Sequence, residues 1–352
     1  MQLKDIEILK IMNNTRPYII SEAGVNHNGD LVLAKQLIEV AKKSGADAVK
    51  FQTWKPGELT GRFAIKVSYL EKSTPEDESR FELSKRLCLS FDVFRELKLH
   101  CENIGIQFLS TPDGFESLDF LVDDLNMPMI KVGSTELNHL PFLKAVGKKH
   151  RPVILSTGIG TLAEVESALT ALRSGGGIDL PITILQCTSQ YPAPPDEMNL
   201  RVLETYAQAF NLPVGLSDHS SGMVASIAAV ALGASVIEKH FTLDRKMEGP
   251  DHAASLMPNE LGEFIEAINR VVLMLGSKVK APTLSEQENM TGIRRSVVAA
   301  RDIKLGSILC LSDLICKRPG TGISPPYIDF LVGHTLTRSL MEDEPIQWQD
   351  IL

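Results

Sequence analysis

Gly215-Leu-Ser-Asp-His219 and its echo Val236-Ile-Glu-Lys-His240 are two short apolar strands, each ending in a histidine. Alternate residues of a strand point the same way, so Ser217 shares a side with His219, and Glu238 with His240. Between them, residues 222–232 are small, apolar and long enough for a helix. The pattern is a strand–helix–strand unit, and histidines at neighbouring parallel strand ends can share one metal ion. The plainer alternative is two hydrogen-bonded histidines; the matched placement and the adjacent carboxylate put the metal on an equal footing with it.

Working outward, the same rhythm covers residues 17–275. Strands are predicted at 18–20, 48–51, 107–110, 129–132, 153–156, 182–187, 214–217 and 236–240. Helices are predicted at 30–44, 91–104, 115–125, 140–148, 162–173, 200–210, 222–232 and 259–275. Asp30 suits an N-cap and Gly45 a helix stop. Eight strands, each followed by a helix, have the size and rhythm of a (β/α)8 TIM barrel. A doubly wound sheet is the alternative, disfavoured because no GxGxxG follows the first strand. The long, charged interruption at 53–90 falls on the expected active-site rim, where it reads as a lid or as a surface excursion.

Residues 1–275 are therefore expected to form the catalytic barrel, 276–288 a linker and 289–352 a small β-rich domain. The last segment repeats weakly: 300–314 aligns with 337–351, matching Arg301 to Arg338, Ile303 to Leu340 and Asp313 to Asp350. Two related halves with a thin core should lean on another surface.

Composition narrows the class. The chain has 352 residues, 43% hydrophobic and 23% charged, as in an ordinary globular enzyme. Its net charge of −8 and lack of a basic stripe argue against general nucleic-acid binding. No apolar run reaches the roughly 18 residues of a membrane span, and residues 1–16 hold no signal-peptide core. The five cysteines are dispersed, without a CxxC, which points to free thiols and a cytoplasmic protein. The sequons at Asn13 and Asn289 then carry no meaning.

Barrel enzymes react at the C-terminal ends of their strands. Those ends offer Glu22, Lys50, Gln52, Lys131, Ser134, Glu136, Ser156, Ser189, Tyr191, Ser217, His219, Glu238 and His240, with Asp251 on the last loop. Lysines inside apolar strands need an anion or a shifted pKa. With serines on the same rim they suit one molecule carrying phosphate and carboxylate. A resting ion-pair network with the glutamates, or a Schiff base at either lysine, is the alternative.

At these residues the chain resembles the sialic acid synthase family of N-acetylneuraminate, legionaminate and pseudaminate synthases. The likeness is carried by Ser21-Glu-Ala-Gly-Val-Asn-His-Asn-Gly29, Val49-Lys-Phe-Gln52, Ile154-Leu-Ser-Thr-Gly158, Gly215-Leu-Ser-Asp-His219, Ile237-Glu-Lys-His-Phe-Thr-Leu243 and Gly249-Pro-Asp-His252. The tail, with Lys317-Arg-Pro-Gly-Thr-Gly322, is similar to that family's antifreeze-like (SAF) domain.

The resemblance implies condensation of phosphoenolpyruvate with an N-acetylated amino sugar aldehyde of N-acetylmannosamine type, giving a nine-carbon 2-keto acid and phosphate. It implies a divalent metal, manganese before magnesium or cobalt, on His219 and His240. By the same resemblance Lys50, Lys131, Ser134, Ser156, Ser217 and, less conformably, Ser189 cradle phosphoenolpyruvate. Glu22, Gln52, Tyr191 and Asp251 hold the sugar or move protons, and Glu136 and Glu238 stand beside the reacting centre. It also implies a domain-swapped homodimer in which Arg318 reaches the neighbour's sugar. Gly249-Pro-Asp-His-Ala-Ala-Ser255 favours the neuraminate and legionaminate members. A Kdo-8-phosphate synthase-like barrel is the rival, disfavoured by the tail, and a non-catalytic sugar-binding barrel is disfavoured by the intact set of charged rim residues.

Overall fold

A computed structural model describes residues 16–67, 70 and 74–352; the predicted absence of a signal core and the Asn13 sequon lie outside them, apart from Arg16. The chain divides into two compact units, the first ending at Gly276 and the second running from Ser277 to Leu352. Among the described residues no helix is long and apolar enough to cross a membrane.

The first unit holds eight parallel strands: β1 (Tyr18–Gly24), β2 (Ala48–Trp54), β3 (Gln107–Asp113), β4 (Ile130–Val132), β5 (Val153–Ser156), β6 (Ile182–Cys187), β7 (Val214–Asp218) and β8 (Val236–His240). Their order is β3-β2-β1-β8-β7-β6-β5-β4. The outer members β3 and β4 also touch, so the sheet is a nearly closed barrel with interleaved helices. The predicted barrel is the one observed.

Local chemistry explains the elements. Asp30 caps helix Leu31–Ser44 by accepting from the Val32 and Leu33 amides, and Gly45 closes it at φ 88°. The buried stripe Ala34, Leu37, Ile38 and Ala41 faces the sheet. Each fully buried leucine or isoleucine stabilises the packing by about 1.5–3 kcal/mol. Three strands outrun their predicted ends by three or four residues: β1 continues to Gly24, β2 to Trp54 and β3 to Asp113. The apolar pattern stops first because the added residues include polar ones, yet the ladder pairs them, matching Glu22 to Lys50 and Trp54 to Asp113. The single helix predicted at 115–125 is α-helical only over Phe115–Asp119, then widens into a π turn over Phe120–Asp124.

The interruption after β2 includes helix Arg80–Leu87, capped reciprocally by Ser79 and Glu82. The Trp54 indole donates to the Ser84 carbonyl at 3.0 Å. Val25, Trp54, Leu70, Leu83 and Leu87 form a hydrophobic cluster separate from the barrel core.

In the second unit, helix Leu284–Ile293 occupies part of the stretch predicted to be a linker and runs beyond it. It buries no residue and is held by a capping box between Thr283 and Glu286, so hydrophobic periodicity could not reveal it. Beyond it, β9 (Ser296–Ala299) pairs antiparallel with β10 (Leu314–Lys317). The two halves of the repeat mirror each other: Arg301 binds Asp313 at 2.6 Å, and Arg338 binds Asp350 at 2.6 Å. Ile303 and Leu340 exchange backbone hydrogen bonds of 2.8 and 2.9 Å.

Candidate active site

The C-terminal ends of the barrel strands surround a cavity of about 540 Å³. Parallel register sets its floor: Glu22 on β1 stands level with Lys50 on β2 and with His240 on β8, and Ser217 on β7 is level with Glu238 on β8. These side chains are all buried.

Charges alternate across this floor. Lys50 Nζ lies 2.7 Å from Glu22 Oε2 and 3.7 Å from Glu238 Oε2, and donates to Thr111 Oγ1 at 2.8 Å. Lys131 Nζ lies 3.4 Å from Glu238 Oε1 and donates to Ser156 Oγ at 2.8 Å. Ser217 Oγ donates to Glu238 Oε1 at 2.9 Å, and Gln52 donates to Glu22 at 3.1 Å. The ion-pair network considered from the sequence is thus present, and it opens on the cavity.

Burial tunes these groups unequally. It works against the charge of Lys50, but Glu22 and Glu238 more than offset it and raise the ammonium's pKa. Burial lowers that of Lys131, which Glu238 only partly restores and Lys50 depresses further. Burial raises the Glu22 carboxyl against the pull of Lys50. It also opposes ionisation of Glu238, yet Lys131, Lys50 and His240 prevail and hold that carboxylate below its usual range.

Ser134 and Ser189 meet over Gly158. A Cβ there would lie 2.2 Å from Ser189 Oγ and 2.9 Å from Ser134 Oγ, so only glycine lets both hydroxyls approach. Ser134 Oγ accepts the Gly158 amide at 2.9 Å.

His219 and His240 face each other with ring centroids 5.4 Å apart. His219 Nδ1 lies 2.8 Å from the Thr188 carbonyl, which places the proton on that nitrogen and the lone pair on Nε2. Tyr191 stacks on this ring and its hydroxyl lies 3.1 Å from Nε2. His240 is kept neutral by burial and by His219. Its Nδ1 is buried without a hydrogen bond among the described residues, 3.7 Å from Asp251 Oδ2. Two facing imidazoles, one with its Nδ1 proton fixed by the Thr188 carbonyl and one with an unsatisfied buried nitrogen, fit a divalent ion. Among the described residues no three His, Cys, Asp or Glu side chains converge at ligand spacing.

Two further expected residues lie outside the barrel strands. Glu136 lies on the short 3-10 turn Ser134–Glu136, where strand alternation does not hold, and its carboxylate is 2.6 Å from His139 Nδ1. Arg318 belongs to the second unit, where its Nε donates to the Ile293 carbonyl at 2.9 Å. Two other cavity residues were not anticipated from the sequence: Asp113 and Arg80. Asp113 follows Pro112, which reads as a strand end, and Arg80 sits in the interruption, where no pattern marks it. The outer wall is the apolar cluster of Val25, Trp54, Leu70, Leu83 and Leu87.

Residues 37–280 match the model of the NeuB family, and residues 294–352 match the SAF domain. The chain belongs to the NeuB family. It is 46% identical to the N,N'-diacetyllegionaminic acid synthase of Campylobacter jejuni, over 94% of this chain and 98% of that protein. It is 36% identical to the human N-acetylneuraminate-9-phosphate synthase, over 94% of this chain and 91% of that protein. The solved N-acetylneuraminic acid (sialic acid) synthetase of Leptospira borgpetersenii superposes with a TM-score of 0.67 at 32% identity, covering 78% of this NeuB-family chain and 90% of the other.

Proposed function

We propose that this NeuB-family chain condenses phosphoenolpyruvate with an N-acetylated hexosamine aldehyde and water, releasing phosphate and a nine-carbon, sialic-acid-like 2-keto acid. The observation that carries the reading is the convergence of Lys50, Lys131 and the His219–His240 pair on one cavity. The names of its relatives support the product class.

Lys131, Lys50, Ser134, Ser156, Ser189 and Ser217 supply charge and hydroxyl donors for the phosphate and carboxylate. Gln52, Tyr191 and Asp251 face the sugar. Holding both substrates in one cavity brings the enol carbon to the aldehyde carbon and makes the encounter intramolecular. Carbon–carbon bond formation leaves an oxocarbenium carbon; water adds there, and phosphate departs with cleavage of its C–O bond. Glu22, whose burial favours its protonated form, is placed to exchange a proton with the reacting oxygen atoms. His219 and His240 would hold a divalent cation, manganese by family habit, which when bound supplies Lewis-acid polarisation of the aldehyde oxygen.

The apolar outer wall favours a sugar carrying methyl groups, such as those of two acetamides, over a bare polyol. A doubly acetylated, legionaminate-type precursor is the finer reading, and N-acetylmannosamine the alternative. The homodimer expected from the family, with Arg318 serving the neighbouring chain, belongs to the same proposal.

The test is phosphate release from phosphoenolpyruvate with manganese and a panel of sugars: N-acetylmannosamine, its 6-phosphate, a 2,4-diacetamido hexose and arabinose 5-phosphate. Turnover with an acetylated sugar is expected. Turnover with arabinose 5-phosphate alone would establish the Kdo-8-phosphate type of reaction instead.

A further inference from the structure

Asp113 is the cavity carboxyl that nothing above employs. It closes β3, is 6% exposed and lines the cavity beside Lys50 and Lys131. Glu22 is paired with Lys50, Glu238 with both lysines, and Asp251 lies near His240. Asp113 has no such partner: among the described residues no hydrogen bond or ion pair reaches its carboxyl. The two lysines, paired with Glu22 and Glu238, favour its ionised form but do not outweigh burial.

The groups facing Asp113 carry both signs. Glu136 approaches from the turn after β4 and Glu22 from β1, against Lys50 from β2 and Lys131 from β4. Glu58, from the segment after β2, packs across Gly114: a Cβ on that glycine would lie 2.6 Å from Glu58 Oε2. Arg80 lines the same cavity from helix Arg80–Leu87. Burial, reinforced by Glu136, pushes the Asp113 carboxyl up to about 7. A bound trianion would add negative charge and favour the protonated form further.

We propose that Asp113 is a further substrate-binding residue, whose neutral carboxyl donates a hydrogen bond to an anionic oxygen of phosphoenolpyruvate, so that binding the anion takes up a proton. The proposal rests on the phosphoenolpyruvate reading of the site. It makes Asp113 a donor below about pH 7 and a source of repulsion above it. Affinity for phosphoenolpyruvate then falls with rising pH, approaching tenfold per unit on the alkaline side.

The experiment is calorimetric titration of phosphoenolpyruvate into the full-length protein, with manganese and without sugar, in two buffers of different ionisation enthalpy. Asp113→Asn keeps a neutral donor at every pH, and Asp113→Ser is the second variant should the first not fold. At about pH 8 wild type should take up about one proton more than the variant, and at about pH 5.5 that excess should vanish. Asp113→Asn should also hold its affinity where wild type loses it. Equal proton uptake and parallel affinity profiles would overturn the role of Asp113 while leaving the phosphoenolpyruvate site intact. Failure of wild type to bind phosphoenolpyruvate at any pH would overturn the functional reading, and this proposal with it. A merely structural Asp113 would lower the melting temperature of both variants without moving the proton count.

Discussion

Replacing Lys131 with alanine separates the two substrates. Its Nζ stands 2.8 Å from Ser156 Oγ and 3.4 Å from Glu238 Oε1, on a wall whose other buried cation is Lys50. A unit charge about 4 Å from an anion contributes roughly 4 kcal/mol at an effective dielectric near 20. Part of that is absent on balance, because an arriving anion competes with Glu238 for the ammonium. The remainder is of the order of a charge-assisted hydrogen bond, about 1.5–3 kcal/mol. At about 1.4 kcal/mol per decade, this is roughly a ten- to hundred-fold loss of affinity for phosphoenolpyruvate. The variant should remain folded, since Glu238 keeps Ser217 and Lys50 as partners. It should melt earlier, because a buried ion pair has lost one member. The assay is steady-state phosphate release with each substrate varied in turn, supported by direct titration of phosphoenolpyruvate without sugar. A KM for phosphoenolpyruvate that stays put while the sugar KM rises would refute the assignment.

His219→Ala and His240→Ala should each lose bound metal on dialysis and abolish turnover without altering the circular dichroism spectrum; full metal occupancy in both would remove them as ligands. Asp313→Ala and Asp350→Ala should destabilise the second unit by similar amounts, about 1–3 kcal/mol each, because both are buried and accept an arginine and a backbone amide; hydrogen exchange in residues 277–352 reads this, and one silent variant would show that the halves are not equivalent. Mixing inactive Arg318→Ala chains with inactive His219→Ala chains under subunit exchange should restore activity, because one site of each mixed dimer is then free of both defects. No recovery, with mixed dimers verified by mass spectrometry, would place Arg318 at its own chain's site or at none.

The barrel was legible because its signal is periodic and repeated: apolar strand, polar end, amphipathic helix. Site residues on strands were found by alternation, as with Lys50, Glu238 and His240. Alternation gives no guide where the backbone leaves the strand, as at Glu136 on its 3-10 turn. Asp113 was hidden by the proline before it. Pro112 removes one donor but keeps its carbonyl and an extended φ, so β3 runs one residue further. Arg80 and the apolar wall lie in a segment without repeat or periodicity, and only the fold brings them to the cavity. Helix Leu284–Ile293 escaped for another reason: its stability is local, in a cap, whereas the sequence was searched for a buried face.

The wall over the cavity has its own small hydrophobic core, distinct from that of the barrel. Trp54 roots it in β2 by a single indole hydrogen bond to Ser84, and most of its other members come from one excursion of the chain. Such a part behaves as a module. Its side chains can change volume and shape in concert while the lysines, serines and histidines beneath keep their register. On the proposed reading of the site, rewriting this one loop changes the sugar accepted while the chemistry stays in place. Exchanging the segment between Trp54 and Leu89 among relatives is accordingly a practical way to build chimaeras with a new sugar preference.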